Sequence, residues 1–277
     1  MPVQKALMEY LLLGRIGCCS RPSASDARPA MKLALITDIH ANREALEAVM
    51  AHARAEGAGR FAFLGDYVGY GADPGWVVDQ VREHVALGTP AVLGNHDAAV
   101  VRGPSPSMRP EPRLGIEWTR GQLDPEQLAF LAARPYAITD EDRLYVHANA
   151  YAPMDWGYIV SRHDAARSLL CTASRYTFCG HVHEPCLYHL STTGKTGEFT
   201  PTPGVPIPVP PHRQWLVLPG SVGQPRDGNP AACYAMVDLA QPVLTFHRVP
   251  YDHEAAAAKI RAAGLPASFA SRLIDGQ

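Results

Sequence analysis

Five short stretches of the sequence each end an apolar run on Asp, Asn or His. They are Ile36-Thr37-Asp38-Ile39-His40, Phe63-Leu64-Gly65-Asp66-Tyr67, Leu93-Gly94-Asn95-His96-Asp97, Leu144-Tyr145-Val146-His147 and Phe178-Cys179-Gly180-His181-Val182-His183. Imidazole nitrogens and carboxylate or amide oxygens suit borderline divalent metals such as Mn, Fe, Co, Ni and Zn. One such stretch alone is most often structural, because short motifs have many false positives. Five in one chain predict a metal centre. The candidate ligands that end the apolar runs are Asp, Asn and His but not Cys, which argues against a structural zinc site.

The elements that must position these residues are predicted from the spacing of apolar residues. Short apolar runs typical of buried strands occupy residues 31–36, 61–64 and 90–93. A helix is predicted over 42–56 by apolar residues at intervals of three and four, and a second helix begins at Asp73-Pro74. This alternation of strands and helices predicts an α/β fold with parallel strands, whose ends bring the polar residues to one edge.

The second half of the chain is richer in predicted strands. These occupy 136–138, 144–147, 176–179, 186–190, 215–218, 232–239 and 243–249. Residues 191–213 are dense in Gly, Thr and Pro, which predicts an inserted loop or hairpin. The Pro- and Arg-rich residues 98–113 predict an exposed loop, and residues 252–277 predict C-terminal helices.

Residues 1–30 differ in composition from the rest of the chain. They lack the apolar periodicity of a core element and become rich in Ser, Pro, Arg and Ala, so we expect a flexible N-terminal extension. Glu9 interrupts the apolar run that a signal peptide would need. Met31 opens the first strand and is a candidate natural initiator. Residues 31–277 are then expected to form one domain.

The composition limits the classes of function. With 47% hydrophobic and 19% charged residues and a net charge of −2, the chain has the make-up of a soluble globular protein without a basic footprint for nucleic acid. No apolar run approaches the roughly 18 residues of a membrane-spanning helix. The six cysteines form no C-x-x-C pair, which favours thiols in a reducing compartment. We therefore expect a cytoplasmic protein with no membrane partner, and a nuclease is disfavoured.

The five stretches together resemble the signature of the calcineurin-like metallophosphoesterases. That signature reads D-x-H, G-D, G-N-H-[D/E], H and G-H-x-H, and this chain matches it in order over about residues 31–250. Residues 219–227, Pro-Gly-Ser-Val-Gly-Gln-Pro-Arg-Asp, are similar to a stretch in the bacterial branch related to diadenosine tetraphosphatases and serine/threonine phosphatases. The resemblance implies a two-sheet α/β/β/α sandwich and two divalent metal ions (Mn, Fe, Zn, Ni or Co, with Mn favoured).

The resemblance also assigns ligands residue by residue. One ion would be held by Asp38, His40, Asp66 and His183. The other would be held by Asp66, Asn95, His147 and His181, so that Asp66 bridges the two. His96 would not be a ligand but the general acid or a phosphate contact, with Asp97 behind it to orient the imidazole. The residues expected to contact substrate are Asn95, His96 and Arg226.

The implied activity is hydrolysis of a phosphoester or phosphoanhydride by a metal-bridging hydroxide. In the serine/threonine phosphatases the second motif resembles G-D-Y-V-D-R-G, whose Arg contacts phosphate, whereas Gly65-Asp66-Tyr67-Val68-Gly69-Tyr70-Gly71 lacks that Arg and the second Asp. Arg226 or Arg109 could take the place of the missing Arg. We therefore expect a small phosphorylated substrate of the phosphodiester or nucleotide type. A phosphoprotein phosphatase and a non-catalytic metal-binding interaction scaffold are the alternatives, and the oligomeric state is left open.

Deletion of residues 1–30 is expected to leave folding and activity nearly intact, because this segment lacks the periodicity of a core element. Thermal unfolding and phosphoester hydrolysis of the truncated and full-length proteins make the comparison. A truncated protein that is insoluble, or that melts well below the full-length chain, would show that the extension is packed.

Overall fold

The computed structural model describes residues 32–105 and 108–277, and the predicted extension at residues 1–30 lies outside them. The described chain begins with strand β1 (Lys32–Ile36), helix α1 (Arg43–Ala55) and strand β2 (Ala58–Phe63). β1 and β2 pair in parallel, as their connection through a helix predicts.

The later elements follow in chain order. The next helices are α2 (Pro74–Ala86), α3 (Asn95–Arg102), α4 (Pro110–Gln122) and α5 (Pro125–Ala132). They are followed by β3 (Ala137–Asp140), β4 (Arg143–Val146), α6 (Arg162–Leu170), β5 (Tyr176–Phe178), β6 (Pro185–Leu190), β7 (Thr196–Phe199), β8 (Ile207–Pro208), β9 (Gln214–Pro219), β10 (Ala232–Asp238) and β11 (Val243–Val249). The chain ends in α7 (His253–Ala262) and α8 (Ala267–Asp275). None of the helices in the described ranges has the length and apolarity needed to cross a membrane.

The strands form two sheets. The first has the strand order β2-β1-β10-β11-β8, and the second has the order β3-β4-β5-β9-β6-β7. β4, β5 and β9 are parallel neighbours in the second sheet, whereas β1 pairs in parallel with β2 and antiparallel with β10 in the first. The loops that follow β1, β2, β4 and β5 carry most of the predicted ligands, so the parallel strands of both sheets deliver them to one edge.

Alternate residues of each strand face different layers. Leu33 and Leu35 of β1 pack between the two sheets with Phe178 of β5. Ala34 and Ile36 of the same strand face α1 and α2. The outer face of the second sheet packs against α6. The protein is therefore the α/β/β/α sandwich that the resemblance implied.

Three segments differ from, or add detail to, the sequence-based expectation. Residues 90–93 make a single parallel bridge to β2 at Ala91 rather than a strand. The expectation of a loop over 98–113 is wrong, because α3 and α4 occupy much of it and a proline such as Pro110 is well accommodated in the first turn of a helix. Within 191–213, β7 forms a hairpin with β6, and β8 adds an edge strand to the first sheet.

The C-terminal helices predicted over 252–277 are present as α7 and α8, and α8 packs against the loop that follows β2. Phe269 of α8 is fully buried and meets the ring of Tyr70 edge-on, with ring centroids 4.9 Å apart. A Cβ added at Gly115 of α4 would lie 2.9 Å from the Phe269 ring, so this glycine allows α4 to approach α8. These contacts hold Tyr70 in place beside the predicted ligands.

Asp97 holds the loop after β2 and does not orient His96. Its carboxylate oxygens accept hydrogen bonds from the backbone amides of Asp66, Tyr67, Val68 and Gly94 at 2.9, 2.9, 3.2 and 3.0 Å. The geometry contradicts the expectation that Asp97 orients the imidazole. The reason is that Asn95, His96 and Asp97 form the first turn of α3, where successive side chains point in different directions.

Replacing Asp97 by Ala is expected to lower the free energy of unfolding by on the order of 3 kcal/mol, because buried backbone amides lose their acceptor. Metal affinity should fall roughly 10–100-fold, the usual effect of removing a group that supports a ligand. Chemical denaturation and metal titration measure the two effects.

The matched control is Asp124→Ala, which removes an exposed carboxylate that caps α5 through one bond to the Gln127 amide. It should cost about 1 kcal/mol and leave metal binding unchanged. If Asp97→Ala instead kept its metals and lost only rate, Asp97 would act through His96 after all.

Candidate metal centre

Asp38, His40, Asp66 and His183 converge on one buried point. They follow β1, β2 and β5, and their ligand atoms all lie within 4.8 Å of one another. Each side chain is at most 3% exposed. This is the set of residues that the resemblance assigned to the first ion.

A second group of ligands shares Asp66 with the first. It contains His147, which follows β4, and His181, again with all ligand atoms within 4.8 Å of one another. Asn95 Oδ1 lies 3.0 Å from His147 Nε2. Asp66 Oδ2 lies 3.4 Å from His147 Nε2 and 3.8 Å from His40 Nε2, so one carboxylate oxygen faces both groups. The fold thus brings all seven predicted ligands together.

Backbone carbonyls orient the four histidines. The Nδ1 atoms of His40, His147 and His183 lie 3.1, 2.7 and 2.7 Å from the carbonyl oxygens of Val68, Leu64 and Gln224. The His181 ring has the opposite orientation, with its Nε2 atom 2.9 Å from the backbone carbonyl oxygen of Trp156. Because a carbonyl only accepts, the nitrogen facing it carries a proton, and the other nitrogen of each ring is directed into the site. A histidine that binds a metal requires this arrangement.

The nitrogens of His40 and His183 test whether a metal fits the site. The two Nε2 atoms face each other at 3.1 Å. In neutral rings whose Nδ1 atoms both donate to carbonyls, the two Nε2 atoms present lone pairs to each other, and these repel at this distance. A cation between them removes the repulsion, and Asp38 Oδ1 lies 3.2 Å from His183 Nε2 with its negative charge. The residues present therefore fit a divalent metal ion.

The backbone is strained at five of the ligands. The φ angles of Asp38, His40, Asp66, His181 and His183 are 51°, 50°, 54°, 70° and 68°. These left-handed conformations cost on the order of 1–3 kcal/mol each in residues other than glycine, and they cluster at functional sites. The surrounding structure therefore holds the ligands in a geometry that the local chain disfavours.

Glycines allow the ligand loops to approach one another. A Cβ added at Gly65 would lie 2.8 Å from His147 Nδ1, and one added at Gly180 would lie 2.5 Å from Asp38 Oδ2. A Cβ at Gly94 would collide with Asp66. Close packing therefore explains why Gly precedes the polar residue in three of the five stretches.

Burial and neighbouring charge have opposite effects on the carboxylates. Burial alone would raise the pKa of Asp38 and Asp66, but the facing His183 and His147 hold both pKa values well below the usual range. Burial would likewise lower the pKa of His147, yet Asp66 raises it to about 9. Burial and His147 lower the pKa of His181 to about 3. Two ionised carboxylates in a buried site supply negative charge that divalent cations can balance.

A cleft of about 840 Å³ opens beside the metal centre. Its lining includes Tyr70, Asn95, His96, Arg109, Tyr158 and Arg226. The His96 ring lies 4.6 Å from the Tyr70 ring and 5.0 Å from the His40 ring, measured between centroids. Within the described residues its Nδ1 atom has no hydrogen-bond partner. The three predicted substrate contacts therefore border one cleft.

Gly69 and Tyr70 stand where the resembling phosphatase motif has Asp and Arg. A Cβ added at Gly69 would lie 2.5 Å from His96 Nδ1, so glycine makes room for the imidazole. Arg226, from the loop after β9, places its Cζ atom 5.9 Å from the Tyr70 ring centroid. An arginine from a distant part of the chain thus lies near the position of the missing one.

Two aromatic residues that support the ligands were not predicted from the sequence. The carbonyl of Trp156 orients His181, and the Tyr158 ring stacks on the His181 ring at 4.0 Å between centroids. Both lie in an irregular segment between β4 and α6 that carries no motif. Its aromatic content is the one signal that could have pointed to it.

The chain is similar to known proteins over most of its length. Residues 31–241 match the family model of the calcineurin-like phosphoesterase superfamily domain. An uncharacterized protein of Methanocaldococcus jannaschii is 32% identical over 250 residues, which cover 88% of this chain and 98% of that protein. The crystal structure of a metallophosphoesterase from Sphaerobacter thermophilus has a TM-score of 0.79 and 35% identity, over 90% of this chain and 100% of that one. A hypothetical protein from Pyrococcus horikoshii shares the fold, with a TM-score of 0.71 and 18% identity over 89% of this chain and 99% of that one. The chain therefore belongs to the calcineurin-like phosphoesterase superfamily.

Proposed function

We propose that the protein is a dinuclear-metal-dependent phosphohydrolase that acts on a small phosphorylated molecule, with a phosphodiester or nucleotide-type substrate favoured. The observation that carries the proposal is the sharing of Asp66 by two buried groups of ligands. Manganese is the favoured metal, as the resemblance implies, and the carboxylate and amide oxygen ligands suit it. Two divalent ions held there would polarise a phosphoryl group and lower the pKa of a water molecule.

His96 is the proposed general acid. Its backbone amide donates a hydrogen bond to Asp66 Oδ1 at 2.8 Å, which fixes the start of α3 against the ligand loop. Its imidazole belongs to neither ligand group and borders the cleft. A proton held on this ring can therefore pass to a leaving group bound in the cleft.

Asn95 and Arg226 are the proposed phosphate contacts. Arg226 donates to Gln224 Oε1 at 3.1 Å, and this bond directs its guanidinium group along the cleft wall. Guanidinium groups bind phosphate oxygens through paired donors, which an ammonium group cannot match. Asn95, whose Oδ1 atom lies among the ligand atoms, keeps its amide NH2 group as a donor.

The dimensions of the cleft favour a small substrate over a phosphoprotein. Its volume of about 840 Å³ falls within the range of roughly 300–1,000 Å³ that is usual for small-molecule sites. Tyr70 also replaces the arginine that contacts phosphate in the resembling phosphatases. A phosphoprotein phosphatase remains the alternative substrate class.

We also propose a cytoplasmic location. The four cysteines in the described part of the chain are free thiols, and Cys179 and Cys233 are buried. Cysteines remain free thiols in a reducing compartment such as the cytosol.

The function is tested by removing all metal, restoring Mn, Ni, Co, Zn or Mg singly, and measuring hydrolysis of mono- and diester p-nitrophenyl phosphates, dinucleoside polyphosphates and a phosphoserine peptide. We expect two ions per chain, activity that depends on them, and higher kcat/KM on a small ester than on the peptide. Two bound ions with no hydrolysis of any substrate would favour the non-catalytic scaffold.

The variant Asp66→Asn should lose metal and nearly all activity, because it removes negative charge from both ligand groups. Metal analysis and the same hydrolysis assays measure the two losses.

His96→Asn is expected to keep both metal ions yet lose roughly 10²–10⁴-fold in rate, the usual contribution of general acid catalysis. The loss should be smaller for p-nitrophenolate, a good leaving group that needs little protonation, than for an alkoxide. Metal analysis of the purified variant beside its rates on both kinds of ester makes the measurement. A variant that comes out free of metal would show that His96 supports the ligands instead.

A further inference from the structure

The cleft beside the metal centre extends to a wall formed by the C-terminal helix α8. Arg272 of α8 lines this wall, together with Arg226 from the loop after β9 and Arg109 at the start of α4. The chain as a whole carries a net charge of −2, so three arginines around one cleft are a local concentration of positive charge.

These arginines have no carboxylate partners in the described part of the chain. Arg226 bonds to the neutral Gln224, and neither it nor Arg272 takes part in an ion pair, although both are half-buried. The cleft is also lined by Glu111, one of whose oxygens accepts a hydrogen bond from Ser268 at 2.9 Å, and by the C-terminal residue Gln277. Guanidinium groups removed from water without an anion leave unused donors that a phosphate can satisfy.

The fold joins the two segments that carry Arg226 and Arg272. The Gly228 amide donates to the Gly276 carbonyl at 2.8 Å, which ties the loop after β9 to the end of α8. A Cβ at Gly276 would lie 2.7 Å from the Asn229 backbone, so this glycine permits the close approach. An ion pair between Asp227 and Arg248 fixes the same loop from the side of β11. The two arginines are therefore held on one rigid wall.

Tyr70 lies between this wall and the metal ligands. Its ring centroid is 4.8 Å from that of His40 on one side and 4.9 Å from that of Phe269 on the other. Phe269 and Arg272 are three residues apart on α8 and so share a face of the helix. Arg272 and Tyr70 line the same cleft, and Arg272 belongs to the helix that Tyr70 contacts through Phe269 rather than to the loop of the ligand His40.

We propose that Arg272, together with Arg226, forms a second anion subsite that binds a further phosphate group on the same substrate molecule, so that Arg226 contacts both this phosphate and the one at the metal centre. The substrate class is then a phosphoester whose other end carries a second phosphate. This inference rests on the proposed function, because it takes the phosphate to be cleaved as lying at the metal centre. Arg109 adds positive charge at the mouth of the subsite.

The test is equilibrium binding of two non-hydrolysable probes, butylphosphonate and butylenebisphosphonate, to the manganese-loaded protein by calorimetry. The bisphosphonate should bind at least roughly tenfold more tightly, since one charge-assisted hydrogen bond contributes about that factor. Arg272→Gln and Arg226→Gln should each remove most of this preference, and Arg272→Gln should leave the affinity for butylphosphonate unchanged. Arg261→Gln, on the exposed face of α7 outside the cleft lining, is the matched control and should keep the preference.

Equal affinity of the wild-type protein for the two probes would overturn the inference, as would a preference that survives both Arg226→Gln and Arg272→Gln. If one variant fails to fold, the other variant and the wild-type comparison still decide. Hydrolysis of bis(p-nitrophenyl) phosphate is measured separately on the same protein. A protein that hydrolyses this diester but shows no preference refutes the subsite alone, whereas one that shows the preference without hydrolysing any ester retains the subsite and refutes the proposed function.

Discussion

The position of one carboxylate, that of Asp66, governs the rest of the site. Its Oδ2 atom faces His147 and His40, and its Oδ1 atom accepts the amide of His96. The loop that carries it is held by Asp97, which accepts hydrogen bonds from its backbone amides. The two carboxylates thus have different roles. That of Asp66 faces the other ligands, and that of Asp97 fixes the backbone of the loop that carries Asp66.

The arrangement demands a conformation that the local chain would not adopt alone. Five ligands have left-handed backbone angles, and three glycines admit contacts that a Cβ would prevent. The two packed sheets provide the opposing stabilisation, because their shared core fixes the ends of β1, β2, β4 and β5 relative to one another. Strain of this kind is tolerated where the surrounding structure determines the geometry from several sides.

The substrate side of the site is assembled from parts that are far apart in the chain. Tyr70 touches His40, His96 and Phe269, so a single ring connects a metal ligand, the proposed acid and the C-terminal helix. Arg226 approaches the same ring from the loop after β9. Tyr70 therefore connects the ligands to the wall of the cleft, and changes in α8 can alter the cleft without altering a ligand.

The sequence by itself determined which residues could bind metal and that they follow strands, because a ligand set needs particular side chains and apolar runs mark buried strands. It also predicted α1, the parallel pairing of β1 and β2, and the C-terminal helices. It could not predict the role of Asp97. The direction of that side chain follows from its place in the first turn of α3, which begins at Asn95, whereas the sequence indicated a loop after residue 97. Nor could it associate Trp156, Tyr158 or Arg272 with the site, since none lies in a motif. Their proximity to the ligands is decided by the packing of α8 and the loop before α6, and long-range contacts of this kind leave no periodic signal in the chain.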